Sequence, residues 1–198
     1  MTYVFAAATT NLDQRVGQFD DNNGYFLEMS GSTVNVVRRT KTSGSVVNNK
    51  TAQADWNIDP MDGTGLSHLT LDHTKGQILE IDYQWLSMGR IRYGFSVDGI
   101  NYYVHEELIA NSLDVPSITT PNLPIRWEVV TTDTIAGART LEAICASISS
   151  EGGTDIITQQ PGHIFSFTRE AATAADNTEE ALIGIRCAAT LNSIELED

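Results

Sequence analysis

Apolar and polar residues alternate at every second position, and this pattern limits the fold more than any other feature of the chain. In residues 79–85 the apolar side chains fall on one face of an extended strand and the polar ones fall on the other. Residues 91–97 repeat the pattern and end at Asp98-Gly99, a pair typical of a type I′ turn because both residues tolerate positive φ. The sequence therefore predicts an antiparallel hairpin that returns through residues 100–106.

Further strands are predicted by weaker versions of the same pattern, and no stretch predicts an amphipathic helix of three turns. They are residues 25–29 and 33–39, joined by the three-residue loop Ser30-Gly31-Ser32, and residues 125–130 and 183–187. Residues 139–149 fit a helix or a strand, and Gly152-Gly153 after them favours the strand. The aromatic residues expected to fill the space between two sheets are Tyr83, Trp85, Tyr93, Phe95 and Trp127. We therefore expect an all-β, antiparallel β-sandwich or jelly roll at residues 15–198, after an N-terminal strand or arm at residues 1–14.

The charge of the chain limits its partners. Twelve Lys and Arg residues stand against 26 Asp and Glu residues, which gives a formal net charge of −14. So few cations cannot neutralise a run of phosphates, and the acidity opposes docking on anionic lipid. No stretch approaches the roughly 18 apolar residues that a transmembrane helix needs. We therefore expect no nucleic-acid partner and no membrane partner.

One strand carries residues that resemble a catalytic motif. Glu80 and Asp82 share a face of the predicted strand, about 7 Å apart. Together they resemble the first two positions of the Glu-x-Asp-x-Glu strand of the laminarinase and lichenase group of glycoside hydrolases, where the first Glu is the nucleophile and the last is the acid/base. The third position is Gln84, and an amide cannot donate and recover a proton. We therefore predict that the protein is not an enzyme and has no catalytic residues.

The same strand offers a binding alternative. Glu80, Asp82 and Gln84, with the aromatic ring of Tyr103, are candidates for a carbohydrate-binding groove that would serve host attachment. Phe26 is a second aromatic residue predicted to face away from the core. Both aromatic residues could equally be buried between subunits of an assembly, and the sequence leaves these alternatives open.

Metal and cofactor sites are not predicted. His68, His73, His105 and His163 have no zinc-ligand spacing, and the expectation is that they lie at the surface or in turns. The acidic loop at residues 20–24 lacks the downstream bidentate glutamate of an EF-hand, so a hairpin loop explains it better than calcium binding.

The two cysteines, Cys145 and Cys187, are too few for a disulfide scaffold. Each lies in an apolar segment, which favours buried thiols and leaves a disulfide between them open.

A series of short motifs follows in order along the chain. They are residues 15–20, 23–28, 36–40, 62–65, 70–72, 85–86, 89–95, 103–106, 120–126, 144–147 and 150–153. In this order the chain resembles a family of virion structural proteins from tailed bacteriophages and environmental viruses, over about residues 15–190.

This resemblance implies a particle component with a β-rich body and without known catalytic residues. Its partners would be other copies of itself and other virion proteins of the capsid or tail, so the expected localisation is the virion and the expected state a homo-oligomer. Members of the family are often longer before the Arg15-Val16-Gly17 segment. We expect the segments at residues 1–10 and 171–180 to become ordered on assembly.

Overall fold

The computed structural model describes residues 1–84, 86–120, 122–149, 190–191 and 194–195. The chain divides into two compact units, Met1–Ser149 and Ser150–Asp198. In the second unit the described residues form one antiparallel pair of strands, Thr190–Leu191 and Ile194–Glu195. Several sequence predictions lie outside the described residues: those for Trp85, residues 150–153, His163, residues 171–180 and residues 183–187 with Cys187.

The described residues of the first unit form ten strands and a single 3-10 turn, Gln53–Asp55. In chain order the strands are β1 (Thr2–Val4), β2 (Leu12–Phe19), β3 (Gly24–Ser30), β4 (Thr33–Thr40), β5 (Val47–Ala52), β6 (Gln77–Tyr83), β7 (Arg90–Val97), β8 (Ile100–Leu108), β9 (Ile125–Thr131) and β10 (Glu142–Ala143). No helix among the described residues has the length and apolar character needed to cross a membrane.

Two antiparallel sheets of five strands confirm the predicted β-sandwich. The first sheet has the strand order β10-β1-β6-β7-β8, and the second has the order β5-β4-β3-β2-β9. Most neighbours within a sheet are also neighbours in sequence, since β6 to β8 and β2 to β5 are each connected by successive reversals. The strand order of the described residues does not confirm the jelly-roll alternative.

The β7–β8 hairpin forms at the predicted turn. Asp98 and Gly99 have φ values of 52° and 81°, as a type I′ turn requires. A register shift between Tyr93 and Gly94 then leaves Val104 without a partner, so the alternation of β8 changes face. His105, predicted to face outward, is buried for this reason.

Two further expectations differ from the structure. The β3–β4 connection is a two-residue turn, Gly31-Ser32, because Ser30 pairs with Thr33. The N-terminal segment is part of the core of the single chain, since β1 lies between β10 and β6, and Tyr3 and Phe5 are fully buried. It therefore does not need an assembly in order to become ordered.

Cys145 also differs from expectation, because it is exposed. Its backbone N–H donates to Thr2 Oγ1 at 2.7 Å, which extends the pairing of β1 with β10. The backbone therefore holds this segment at the edge of the first sheet while the thiol stays outside the core.

The core lies between the inner faces of the two sheets. Its first-sheet members are Tyr3, Leu79, Ile91, Tyr93, Phe95 and Val104, and its second-sheet members are Val16, Tyr25, Leu27, Met29, Val34 and Val36. Tyr83 and Trp127, predicted to face inward, are half-buried against this cluster. Burial of these apolar faces is the main force that holds the sheets together.

Polar contacts also join the sheets. Tyr93 donates its hydroxyl hydrogen to the Val37 carbonyl oxygen at 3.1 Å, and Trp127 donates its indole N–H to the Thr2 carbonyl oxygen at 3.1 Å. These bonds satisfy polar atoms that would otherwise be buried without a hydrogen-bond partner. They also fix the position of one sheet relative to the other.

The inward face of β7 can be tested by mutation. Phe95→Ala should lower the free energy of unfolding by about 3–5 kcal/mol, because it opens a cavity among fully buried residues. Urea denaturation followed by circular dichroism measures this change. Ser96→Ala, on the opposite face of the same strand, is the matched control and should change stability little. Equal losses in both variants would contradict the register of the hairpin.

Candidate functional site

Three of the four predicted carbohydrate-binding residues share the outer face of the first sheet. Glu80 pairs with Gly94, and Gly94 pairs with Tyr103, so these residues form one row across β6, β7 and β8. Asp82 begins the next row, opposite Arg92. The period-two pattern of β6 is the reason that the two carboxylates lie on this face.

Arg92 was not among the predicted binding residues, although it organises this face. Its Nε lies 2.8 Å from Asp82 Oδ2, and its guanidinium lies 4.0 Å from the centre of the Tyr103 ring. The hydrogen bond to Asp82 is the main reason that the pKa of Arg92 is raised. The signal that could have revealed this arrangement is the outward position of Arg92 on β7, directly between two strands that carry candidates.

Gln84 lies apart from the other three. β6 ends at Tyr83, and the Gln84 side chain folds over Gly89 so closely that a Cβ at residue 89 would collide with it. Gln84 thus helps to form the β6–β7 turn. It does not extend the outer face that Glu80 and Asp82 share.

The chemistry available to this outer face is limited. Asp82 is engaged by Arg92, and Arg92 also covers one face of the Tyr103 ring, which is where a sugar would stack. Arg90 lies 3.7 Å from Glu106 in the neighbouring row. The described side chains form a network of ion pairs, and carbohydrate binding by Glu80, Asp82, Gln84 and Tyr103 stays a prediction.

The acidic loop between β2 and β3 uses its polar atoms internally. Asp20 Oδ1 accepts hydrogen bonds from the backbone N–H groups of Asn22 at 2.7 Å and Asn23 at 2.6 Å. Asn23 donates its side-chain N–H to Thr119 Oγ1 at 2.8 Å. The loop is thus an Asx turn tied to a neighbouring segment, and the described residues include no group of three potential ligands placed to hold a metal ion.

The histidines occupy different environments. His68 lies in an exposed loop with φ of 56°, as expected for a turn residue. His73 and His105 are buried, which corrects the expectation of surface positions, although His73 does lie in a turn as expected. His105 is buried by the bulge in β8, and His73 is buried because the chain leading into β6 packs against β1.

His73 is enclosed by aromatic side chains. Its Nδ1 lies 2.7 Å from the hydroxyl oxygen of Tyr3, while its Nε2 is buried without a hydrogen-bond partner. The rings of Phe5 and Phe95 lie 6.1 Å from the imidazole, centre to centre. Burial disfavours the charged imidazolium and lowers the pKa of His73 to about 4.

The outer face of the second sheet is buried near Phe26, which corrects the prediction that this ring is exposed. Phe26 packs on Phe19, and the Arg39 guanidinium lies 5.0 Å from the Phe26 ring centre. The Arg126 guanidinium covers Phe19 at 5.3 Å. Gly17, opposite Phe26, lets β2 and β3 approach closely, because a Cβ there would collide with Cβ and Cα of Phe26 and with the Tyr25 carbonyl oxygen.

A ladder of alternating charges crosses the same face, and we call it the charge ladder. Its members are Lys50 on β5, Glu28 on β3, Arg15 on β2 and Glu128 on β9. Arg15 lies at the centre: Nε is 2.8 Å from Glu28 Oε2 and NH1 is 2.6 Å from Glu128 Oε2. The Glu28 side chain is fully buried, so it needs both cations.

Burial alone would lower the pKa of Arg15, but its hydrogen bonds to Glu128 and Glu28 outweigh that effect and raise the pKa. Arg15 is therefore charged at neutral pH. Sequence reasoning missed the ladder. Its signal is the presence of opposite charges at outward positions of adjacent strands.

A groove of about 440 Å³ opens at the end of the sandwich that contains the β3–β4 turn. Val34, Met61 and Leu71 form its apolar part, and Asp62 is the only charged residue among those that line it. Asp62 Oδ1 accepts hydrogen bonds from the backbone N–H and the hydroxyl of Thr64, at 2.9 Å and 2.6 Å. This groove therefore holds no pair of groups that could act as nucleophile and base.

Comparison with known proteins gives no assignment for this fold and its surfaces. No model of a protein family, no curated protein and no solved structure matches the chain.

The charge ladder should contribute to stability through its buried carboxylate. Glu28→Gln should lower the free energy of unfolding by about 3–5 kcal/mol, since it removes the counter-charge from two cations in a buried setting. Chemical denaturation at neutral pH measures this. Glu142→Gln, which removes an exposed carboxylate from β10, is the control and should cost far less. If the two variants lose the same stability, the ladder has no special role.

His73 should make the protein sensitive to acid. As the pH falls, the unfolded chain takes up a proton near the ordinary histidine pKa of 6.5, whereas the folded chain does so only near a pKa of about 4. Between these values the unfolded state binds more protons, so stability falls with pH by about 3 kcal/mol in total.

In His73→Gln, which keeps an acceptor for Tyr3, this part of the pH dependence should be absent from denaturation curves recorded between those pH values. His68→Asn removes a histidine from an exposed loop and should keep the wild-type slope. An unchanged slope in His73→Gln would show that other groups cause the acid sensitivity.

Proposed function

We propose that this protein is a non-enzymatic structural component of a virus particle. It would be present in multiple copies in the capsid or tail, held by contacts with other copies and with other particle proteins. The starting point is the ordered series of motifs that resembles a family of virion structural proteins. The observation that carries the proposal is the position of those motif residues in the fold.

The first three motifs, at residues 15–20, 23–28 and 36–40, lie mainly in β2, β3 and β4 of the second sheet. Arg15 and Glu28 form the centre of the charge ladder, and Gly17 allows the close approach of β2 to β3. Asn23 ties the β2–β3 loop to Thr119. These residues hold a scaffold together, which is what a family of structural proteins would be expected to share. Of the later motifs, Asp62, Thr70 and Leu71 line the groove near the β3–β4 turn.

The edges of the second sheet suit a protein that assembles. β5 and β9 end the strand order, and neither has a second strand partner among the described residues. Most of β5 is exposed, it contains no proline, and its single charged residue, Lys50, is drawn onto Glu28. Unpaired edges of this kind can accept a strand from a neighbouring chain.

The net charge of −14 fits the same role. It keeps free copies apart before assembly, because like charges repel and favour solubility. Contacts within a particle would then overcome that repulsion through buried area, through cations or through basic partner proteins.

Mass spectrometry of purified particles tests the proposal. In a virus that encodes this chain, we expect its peptides in intact, nuclease-treated particles at many copies per particle. The matched control is the infected-cell lysate, where the chain must be detectable. Its presence in the lysate together with its absence from particles would overturn the proposed function.

A further inference from the structure

Four exposed apolar side chains come together at the end of the sandwich where β6 joins β7. They are Leu86, Met88, Leu108 and Val115, with exposed fractions of 82%, 37%, 62% and 42%. We call them the end patch. Large apolar residues exposed singly are ordinary, but a group of them on one surface marks a site of interaction.

Backbone contacts bring the members of the end patch together. Leu108 is the residue of β8 that pairs with Arg90, two residues after Met88. The Ser117 backbone N–H donates to the Ser87 carbonyl oxygen at 2.7 Å, which places the segment that contains Val115 beside the turn. The patch is therefore made from three separate parts of the chain.

Ser87, the residue between Leu86 and Met88, is held in place by backbone contacts. It is buried with φ of 57°, and its N–H donates to the Gln84 carbonyl oxygen at 3.0 Å. The hydroxyls of Tyr25 and Ser117 lie 2.7 Å apart and join this end to the core. Because Ser87 is already held by these bonds, this chain would lose little conformational entropy there when a partner binds.

The charges around the end patch are largely paired. Arg38 Nε lies 2.6 Å from Glu107 Oε2, and Arg90 NH1 lies 3.7 Å from Glu106 Oε2. In the β2–β3 loop, which Asn23 and Thr119 tie to this end, Asp21 pairs with Arg126. Asp20 of that loop and Asp114 of the adjoining segment have no ion pair among the described residues.

At the opposite end, acidic residues outnumber basic ones. The residues there are Asp55, Asp59, Asp62, Asp72, Asp98 and Asp133, with Lys75 and Arg139. Among the described residues of the first unit, repulsion between two copies is thus weaker at the end patch than at the opposite end.

We propose that the end patch is the contact through which two copies of this chain pair. The contact is symmetric, with the patch of one copy against the same patch of the other, as in most protein dimers. Together with residues 41–46 and 109–120 at the same end, the surface approaches the roughly 20–30 residues a side of a standard interface. The inference rests on the proposed function, since it names the self-contact that a multi-copy component needs.

Sedimentation velocity of the full chain over a range of concentrations tests the patch. The wild type should form a dimer, and the double variant Leu86→Glu/Leu108→Glu should dissociate at least tenfold more readily, because four carboxylates would face one another in the dimer. Leu66→Glu is the matched control: Leu66 is 90% exposed but lies in the loop between β5 and β6, at the opposite end. It should dimerise as the wild type does.

Circular dichroism spectra and melting curves confirm that each variant is folded before the comparison is made. A wild type that stays monomeric at every concentration would overturn the proposal. A dimer that persists in the double variant, or one that is lost equally in Leu66→Glu, would also overturn it.

Failure of this inference is distinguishable from failure of the proposed function. Chains found in particles but monomeric in solution overturn the end patch alone. Chains that dimerise through the patch but are absent from particles support the patch and overturn the particle role.

Discussion

Both faces of the central strand β3 are buried, and the two ways of covering them organise the structure. On the inner face Tyr25, Leu27 and Met29 pack against the first sheet. On the outer face Phe26 lies under Arg39, and Glu28 is held by the cations of the charge ladder. A strand buried on both sides needs apolar partners on one face and matched charges on the other, because a carboxylate without cations would be too costly to bury. The packing of the second sheet therefore depends on the two cations, Arg15 and Lys50, that neutralise Glu28.

Features set by neighbouring residues were predictable from the sequence, and features set by distant ones were not. The β7–β8 hairpin followed from Asp98-Gly99 and local alternation. The bulge that buries His105 depends on how β8 registers against β7, and Gly94 was its only trace in the sequence. Alternation also predicted that Phe26 faces away from the core. It could not show that arginine side chains from other strands would cover the ring.

The candidate site divides in the same way. Alternation along β6 was enough to place Glu80 and Asp82 on one outer face. The contacts between these residues depend on cross-strand register. Arg92 lies between the strands that carry Asp82 and Tyr103, and its guanidinium contacts both side chains. Gln84 was assigned to the same outer face because the strand was predicted to run to residue 85. The strand ends at Tyr83, and the chain turns there. Turn geometry of this kind depends on the close fit of Gln84 against Gly89, which no periodicity reveals.

The position of β1 inside the first sheet has a consequence for synthesis. Met1 contacts Leu79 and Thr2 contacts Cys145, over separations of 78 and 143 residues. Contacts across such distances form late, because closing a long loop costs conformational entropy before any contact can stabilise it. At about 5–20 residues per second, on the order of ten seconds pass between translation of Tyr3 and translation of the strand that completes its sheet. During that time its aromatic neighbourhood is uncovered, so the nascent chain is most open to misassembly at this segment, and a chaperone that recognises extended apolar chain would act there.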